Sequence, residues 1–139
     1  MSETVEALFQ AGLERYQAGE EPSALIPVFK DLCNRAPKSA AAWTCLAWLY
    51  LLENKSSQAY KAAQKAVKLN PQDAQARVNL AVAMLETGQA GVREQIDSAM
   101  QLIIVDSEMR DEIKQSIADG LSRKPEWKNL ERVRKWLFE

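Results

Sequence analysis

Residues 40–71 read AAAWTCLAWLYLLENKSSQAYKAAQKAVKLNP, and the spacing within this stretch decides the fold. Trp43, Leu46, Ala47 and Tyr50 recur at i, i+3, i+4 and i+7, which is one face of an α-helix. The polar turn Glu53-Asn54-Lys55-Ser56 follows, then a second helical stripe of Ala59, Ala63, Ala66 and Val67. Ser56 is the candidate N-cap of this second helix, its hydroxyl free to accept from an unpaired backbone N–H. Asn70-Pro71 ends the helix, because proline disfavours helical geometry in the residue before it. The alanines let the second helix approach the first closely, as stacked pairs require.

The unit repeats. Pro37 and Pro71 lie 34 residues apart, and the same shift brings Phe9 onto Trp43, Leu13 onto Ala47 and Ala81, and Tyr16 onto Tyr50 and Met84. It also brings Leu25, Phe29 and Leu32 onto Ala59, Ala63 and Ala66. Trp43, Leu46, Ala47, Tyr50, Ala59, Ala66 and Pro71 resemble a nearly complete tetratricopeptide signature. The first unit, about 6–39, keeps Gly12, Leu13, Tyr16 and Pro37 but has bulky Leu25 and Phe29 where the family has small residues. The third, 74–105, keeps Leu80, Ala81, Met84 and Gly88, and its second stripe, Val92, Ile96, Ala99 and Leu102, requires a turn one residue shorter. The resemblance implies an all-α, right-handed superhelical solenoid of stacked antiparallel helix pairs. With the repeats at 6–39, 40–73 and 74–105 and capping helices over 106–139, one domain of about eight helices is expected.

The capping segment keeps a helical pattern after the period fades. Met109, Ile113, Ile117 and Leu121 form one face of a helix starting near Asp106 and Ser107. Asp119-Gly120 through Pro125 reads as a break, and a last helix begins at or just after Pro125 with Trp127, Leu130, Val133 and Leu137 as its stripe. Repeat arrays need such a terminal element to cover their last apolar surface.

Composition narrows the function. Histidine is absent, which removes the commonest general base and metal ligand near neutral pH. Cys33 and Cys45 match no zinc or redox spacing and sit in helical stripes, where reduced, packed thiols are expected. With no glycine-rich phosphate loop and no carboxylate cluster, the chain is not expected to be an enzyme, and no catalytic residue, cofactor or metal is assigned. Net charge is −1, so nucleic acid is not the expected main partner. The acidic start and the lack of a long apolar run give no signal peptide and no membrane insertion, and a cytoplasmic location is expected. Charge is uneven: residues 1–21 sum to −4, and residues 122–139 sum to +3 through Arg123, Lys124, Lys128, Arg132, Arg134 and Lys135.

Family geometry implies that the first helix of each pair lines the concave side. Ala7, Gln10, Glu14 and Gln17 would face it from the first pair, then Ala41, Thr44, Trp48 and Leu51, then Gln75, Val78, Asn79, Val82 and Leu85. Family members that clamp the carboxylate end of a heat-shock chaperone use Lys, Arg and Asn there. Here Gln10, Glu14, Cys45 and Gln75 stand in most of those places, only Asn79 matches, and such a clamp is not expected. The groove is instead partly apolar around Trp48, which suits an apolar or amphipathic segment of another protein. Trp48 has two further readings: packing within the repeats, or cover by the chain's own C-terminal helix. The expectation is a protein-interaction scaffold, acting as a chaperone or assembly factor; small three-repeat chaperones of bacterial secretion systems are similar in size. The alternatives are a homo-oligomeric assembly subunit, or a basic C-terminal helix docking on RNA or an acidic protein surface.

Overall fold

The computed structural model describes residues 4–139, which form eight helices and, among the described residues, no strand. They are α1 (Val5–Gln17), α2 (Pro22–Arg35), α3 (Ala40–Leu52), α4 (Ser56–Leu69), α5 (Ala74–Thr87), α6 (Val92–Val105), α7 (Ser107–Arg123) and α8 (Lys128–Phe138). Successive helices pack against one another along the chain, and α3 also meets α5, while α8 lies against α5, α6 and α7.

Short polar side chains start half of these helices. Thr4, Ser39, Asp73 and Asp106 each accept a hydrogen bond from a backbone N–H in the first turn, at 2.9–3.3 Å. Ser56 does not fill the capping role assigned to it. It is the first residue of α4, Lys55 takes the cap position, and no side chain caps that end. At the end of α5, Gly88 adopts φ 71°, the left-handed conformation that only glycine takes without strain.

Packing explains how the first unit departs from the repeat pattern. Gly12 is buried, and a Cβ there would lie 2.9 Å from the Phe29 ring. One period later the volumes are exchanged: Leu46 stands at the position of Gly12 and Ala63 at that of Phe29, both buried. Each pair thus fills a similar space with opposite assignments of large and small, and the Phe9–Phe29 edge-to-face contact at 5.9 Å completes the first.

Helix α3 is the centre of the molecule. Every residue from Leu46 to Leu52 is buried, so the helix is enclosed on all sides. The neighbouring pairs cover only part of it, and the rest of its cover comes from the C-terminal helices. The break expected over Asp119-Gly120 through Pro125 starts later: α7 runs through Gly120 to Arg123, and the chain turns over Lys124–Trp127. Gly120 is a point of close approach. A Cβ on it would meet the Trp48 ring and Leu130 at 2.8 Å. No helix among the described residues is long and apolar enough to cross a membrane.

Candidate functional site

The residues expected to line an open apolar groove are mostly closed off. Trp48 is 7% exposed, and Thr44, Leu51, Val78, Asn79 and Val82 are all buried, with Leu85 half-buried. Over Trp48 the cause is the C-terminal pair. The Trp127 ring sits 5.5 Å from that of Trp48, tilted by 37°, and Leu130 and the bare backbone of Gly120 pack beside it. Trp48 is thus packed within the repeats and covered by the chain's own end, and with Thr44 and Asn79 it still lines the cleft that remains beside this cover.

A polar chain across the superhelix holds this cover down. Trp48 Nε1 donates to the Tyr16 hydroxyl at 2.8 Å, and that hydroxyl donates to Asp119 Oδ2. Arg123 Nε bonds the same carboxylate at 3.0 Å, Arg123 Nη2 donates to the Tyr16 carbonyl at 2.9 Å, and the guanidinium lies 4.0 Å from the Tyr16 ring centre. Burial, and then the Asp119 carboxylate, push the Tyr16 phenol well above its ordinary pKa, so the hydroxyl stays a donor at any physiological pH. Two further bonds pin the turn: Lys124 Nζ to the Leu51 carbonyl at 3.0 Å, and Trp127 Nε1 to Glu86 at 2.8 Å. These contacts tie α1, α3 and α5 to α7 and α8. Each polar tip is satisfied, as burial requires.

A cleft of about 730 Å³ remains beside this closure. Its apolar floor includes Leu13, Phe29, Cys45 and Leu49, and its polar walls include Gln17 of α1, Gln75 of α5, and Glu112, Gln115 and Ser116 of α7. Gln10 and Glu14 are exposed and lie outside the lining of this cleft. Helix α1 packs on α2 through the Gly12–Phe29 contact and brings Leu13, Tyr16 and, as expected, Gln17 to the cleft. Asn79, the one residue matching a carboxylate clamp, is spent internally. Its Nδ2 donates to the Thr44 carbonyl at 3.0 Å and its Oδ1 accepts from Gln75 Nε2 at 2.7 Å. With Glu112 and Asp119 in the walls and Arg123 already paired, the cleft does not favour a carboxylate.

Neither thiol is a nucleophile near neutral pH. Burial pushes Cys33 up to about 12, and burial with Asp73 and Cys33 nearby pushes Cys45 up to about 12. Both are free. Among the described residues no group of three or more Cys, Asp or Glu is placed to hold a metal ion.

The expected basic surface divides in two. Arg123 and Lys124 belong to the closure just described, and Arg134 pairs with Glu131 at 2.5 Å and Glu139 at 2.7 Å. Lys128, Arg132 and Lys135 are exposed and, among the described residues, form no ion pair.

Sequence reasoning missed the Tyr16–Asp119 closure, which joins residues 103 apart in the chain. A signal for the helix through Gly120 was present. The stripe Met109, Ile113, Ile117, Leu121 continues across the glycine, and Asp119 and Arg123 stand at the i, i+4 spacing of a helical ion pair.

No protein-family model matches the chain, and no curated protein matches it by sequence. Solved structures do match in fold. The type III secretion translocator chaperone SycD of Yersinia enterocolitica, an alternative dimer, superposes with TM-score 0.71 at 16% identity over 100% of this chain and 98% of that one. The TPR2B domain of yeast Sti1, in its pHsp70 complex, gives 0.67 at 18% identity, covering 86% and 97% of the two chains. The MamA protein gives 0.67 at 21% identity, covering 96% and 71%. The 34-residue register, the stacked helix pairs and these likenesses together show that the chain has the tetratricopeptide-repeat fold.

Proposed function

We propose that the chain is a protein-interaction scaffold that takes a short extended segment of a partner protein in the cleft between α1, α3, α5 and α7. The cleft itself carries this reading. It is lined by amide and hydroxyl side chains able to pair with a peptide main chain, above an apolar floor that takes one or two side chains. An extended segment leaves its main-chain N–H and C=O groups free to pair with these side chains, whereas a helix has already paired its own. An extended strand is the better fit. The acidic wall at Glu112 favours a neutral or basic segment over a carboxylate terminus. The likeness of fold to the Sti1 domain, solved in its pHsp70 complex, is consistent with a role in binding a partner protein. Likeness to the SycD chaperone is consistent with a role in holding a partner protein.

The test is a peptide selection against the wild type, repeated on Ser116→Trp. Ser116 is half-buried on α7 and lines the cleft, so the larger ring fills the space without replacing a core residue. Peptides selected by the wild type should lose at least about tenfold in affinity, about 1.4 kcal/mol, while the variant's helical circular dichroism is kept. Unchanged affinity in the folded variant would remove the cleft as the binding site.

A further inference from the structure

We infer that the outward face of α8 is a second docking surface, separate from the cleft, for an acidic segment of a partner protein that also carries apolar side chains. Lys128, Arg132 and Lys135 stand at i, i+4 and i+7, a stripe about 10 Å long directly opposite the buried Leu130, Val133 and Leu137. The three other cations of this end are used inside the molecule, but these three are not. The polar contact found for Arg132 is Asn129 Oδ1 at 3.3 Å, and its guanidinium lies 5.1 Å from the centre of the Trp136 ring.

Trp136 extends the stripe. It is 42% exposed and borders a small groove of about 190 Å³ with Val92, Ile96 and Met100 of α6. A face that only solvated the end of the stack would be served by charges of mixed sign. Here three cations that form no ion pair among the described residues adjoin an exposed indole and an apolar groove. Charge complementarity selects an acidic occupant, and the groove selects one with an apolar side chain to place there.

A protein segment fits better than a nucleic acid. The chain's net charge is −1, Glu126 and Glu131 line a second hollow together with the three cations, and Asp97 borders the Trp136 groove. A continuous phosphate backbone would run past these carboxylates. A peptide can set its own carboxylates at three points and keep neutral residues near Glu126 and Asp97.

The experiment uses the full chain and a labelled amphipathic peptide of about 16 residues, Glu on one face and Leu on the other, with four to five turns of helix. A control peptide has Gln for every Glu, and a single-stranded RNA of similar length competes. The wild type should bind the acidic peptide at low salt, and the control far more weakly. The double variant Arg132→Glu with Lys135→Glu should bind at least about tenfold more weakly, and added salt should weaken wild-type binding. Trp136→Ala should bind several-fold more weakly, whereas Ser116→Trp should bind as the wild type does, which separates this surface from the cleft. Equal binding by the folded charge-reversal variant would overturn the inference, as would preferential capture of the RNA. So would a concentration-dependent rise in mass of the wild type alone that the charge reversal abolishes, since the occupant would then be a second copy.

Discussion

Replacing Trp48 with alanine is expected to lower the free energy of unfolding by about 3–5 kcal/mol, the range for emptying a large aromatic site in a packed core. The ring is enclosed by Trp127, Leu130 and the backbone of Gly120, and its Nε1 is bonded to the Tyr16 hydroxyl. Removing it leaves a cavity at the meeting point of α3, α7 and α8 and unties α1 from that junction. Trp48→Phe separates the two contributions. It keeps much of the apolar contact and loses the hydrogen bond, so a smaller loss of about 1–2 kcal/mol is expected. Denaturant unfolding followed by circular dichroism measures both. An alanine variant as stable as the wild type but impaired in binding would instead make Trp48 an exposed anchor. The same physics makes this substitution a poor probe of partner binding, because stability and binding would fall together.

Ending the chain after Arg123 is expected to have a still larger effect. Truncation removes Trp127, Leu130, Val133 and Leu137, all buried, and uncovers Trp48 and the inner faces of α5 and α7. At about 1.5–3 kcal/mol for each large apolar side chain taken from a buried site, the loss is about 6–12 kcal/mol. A domain of this size is stable by only about 5–15 kcal/mol in total. Residues 1–123 should therefore lack a cooperative thermal transition and should aggregate or bind a hydrophobic dye. A truncated chain that unfolds cooperatively near the wild-type midpoint would mean that α8 is an appendage and that the concave side does not need its cover.

The parts legible in the sequence were those governed by local spacing. Trp43, Leu46, Ala47 and Tyr50 announce a helix because the helical period is fixed by backbone geometry, and Pro71 marks an end for a reason contained in one residue. The 34-residue shift then orders the helices, since each pair can bury its apolar face only against a neighbour. What escaped depends on how distant segments meet. Nothing near Trp48 in the chain indicates that Gly120 and Trp127 will enclose it, so an enclosed helix and an open apolar groove give the same local pattern. Gly120 was misread because glycine has two uses, breaking a helix and admitting a close neighbour, and only the neighbour distinguishes them. Likewise six cations in the last eighteen residues look equivalent until Tyr16, Leu51, Glu131 and Glu139 claim three of them. The exchange of volumes between Gly12 with Phe29 and Leu46 with Ala63 is also visible only when both helices are placed.

The closure of α7 and α8 over α3 is tested most directly by Gly120→Ala. In an open helix this change stabilises by up to about 1 kcal/mol, since glycine is the poorer helix former. Here the added methyl would stand 2.8 Å from the Trp48 ring and from Leu130, too close for a Cβ contact, so these buried side chains must shift. Overpacking of this kind costs about 1–3 kcal/mol, so the sign should reverse, with a net loss on the order of 1 kcal/mol in denaturant unfolding. A variant more stable than the wild type would show that Trp48 is not packed on Gly120, and the closed concave face would have to be abandoned.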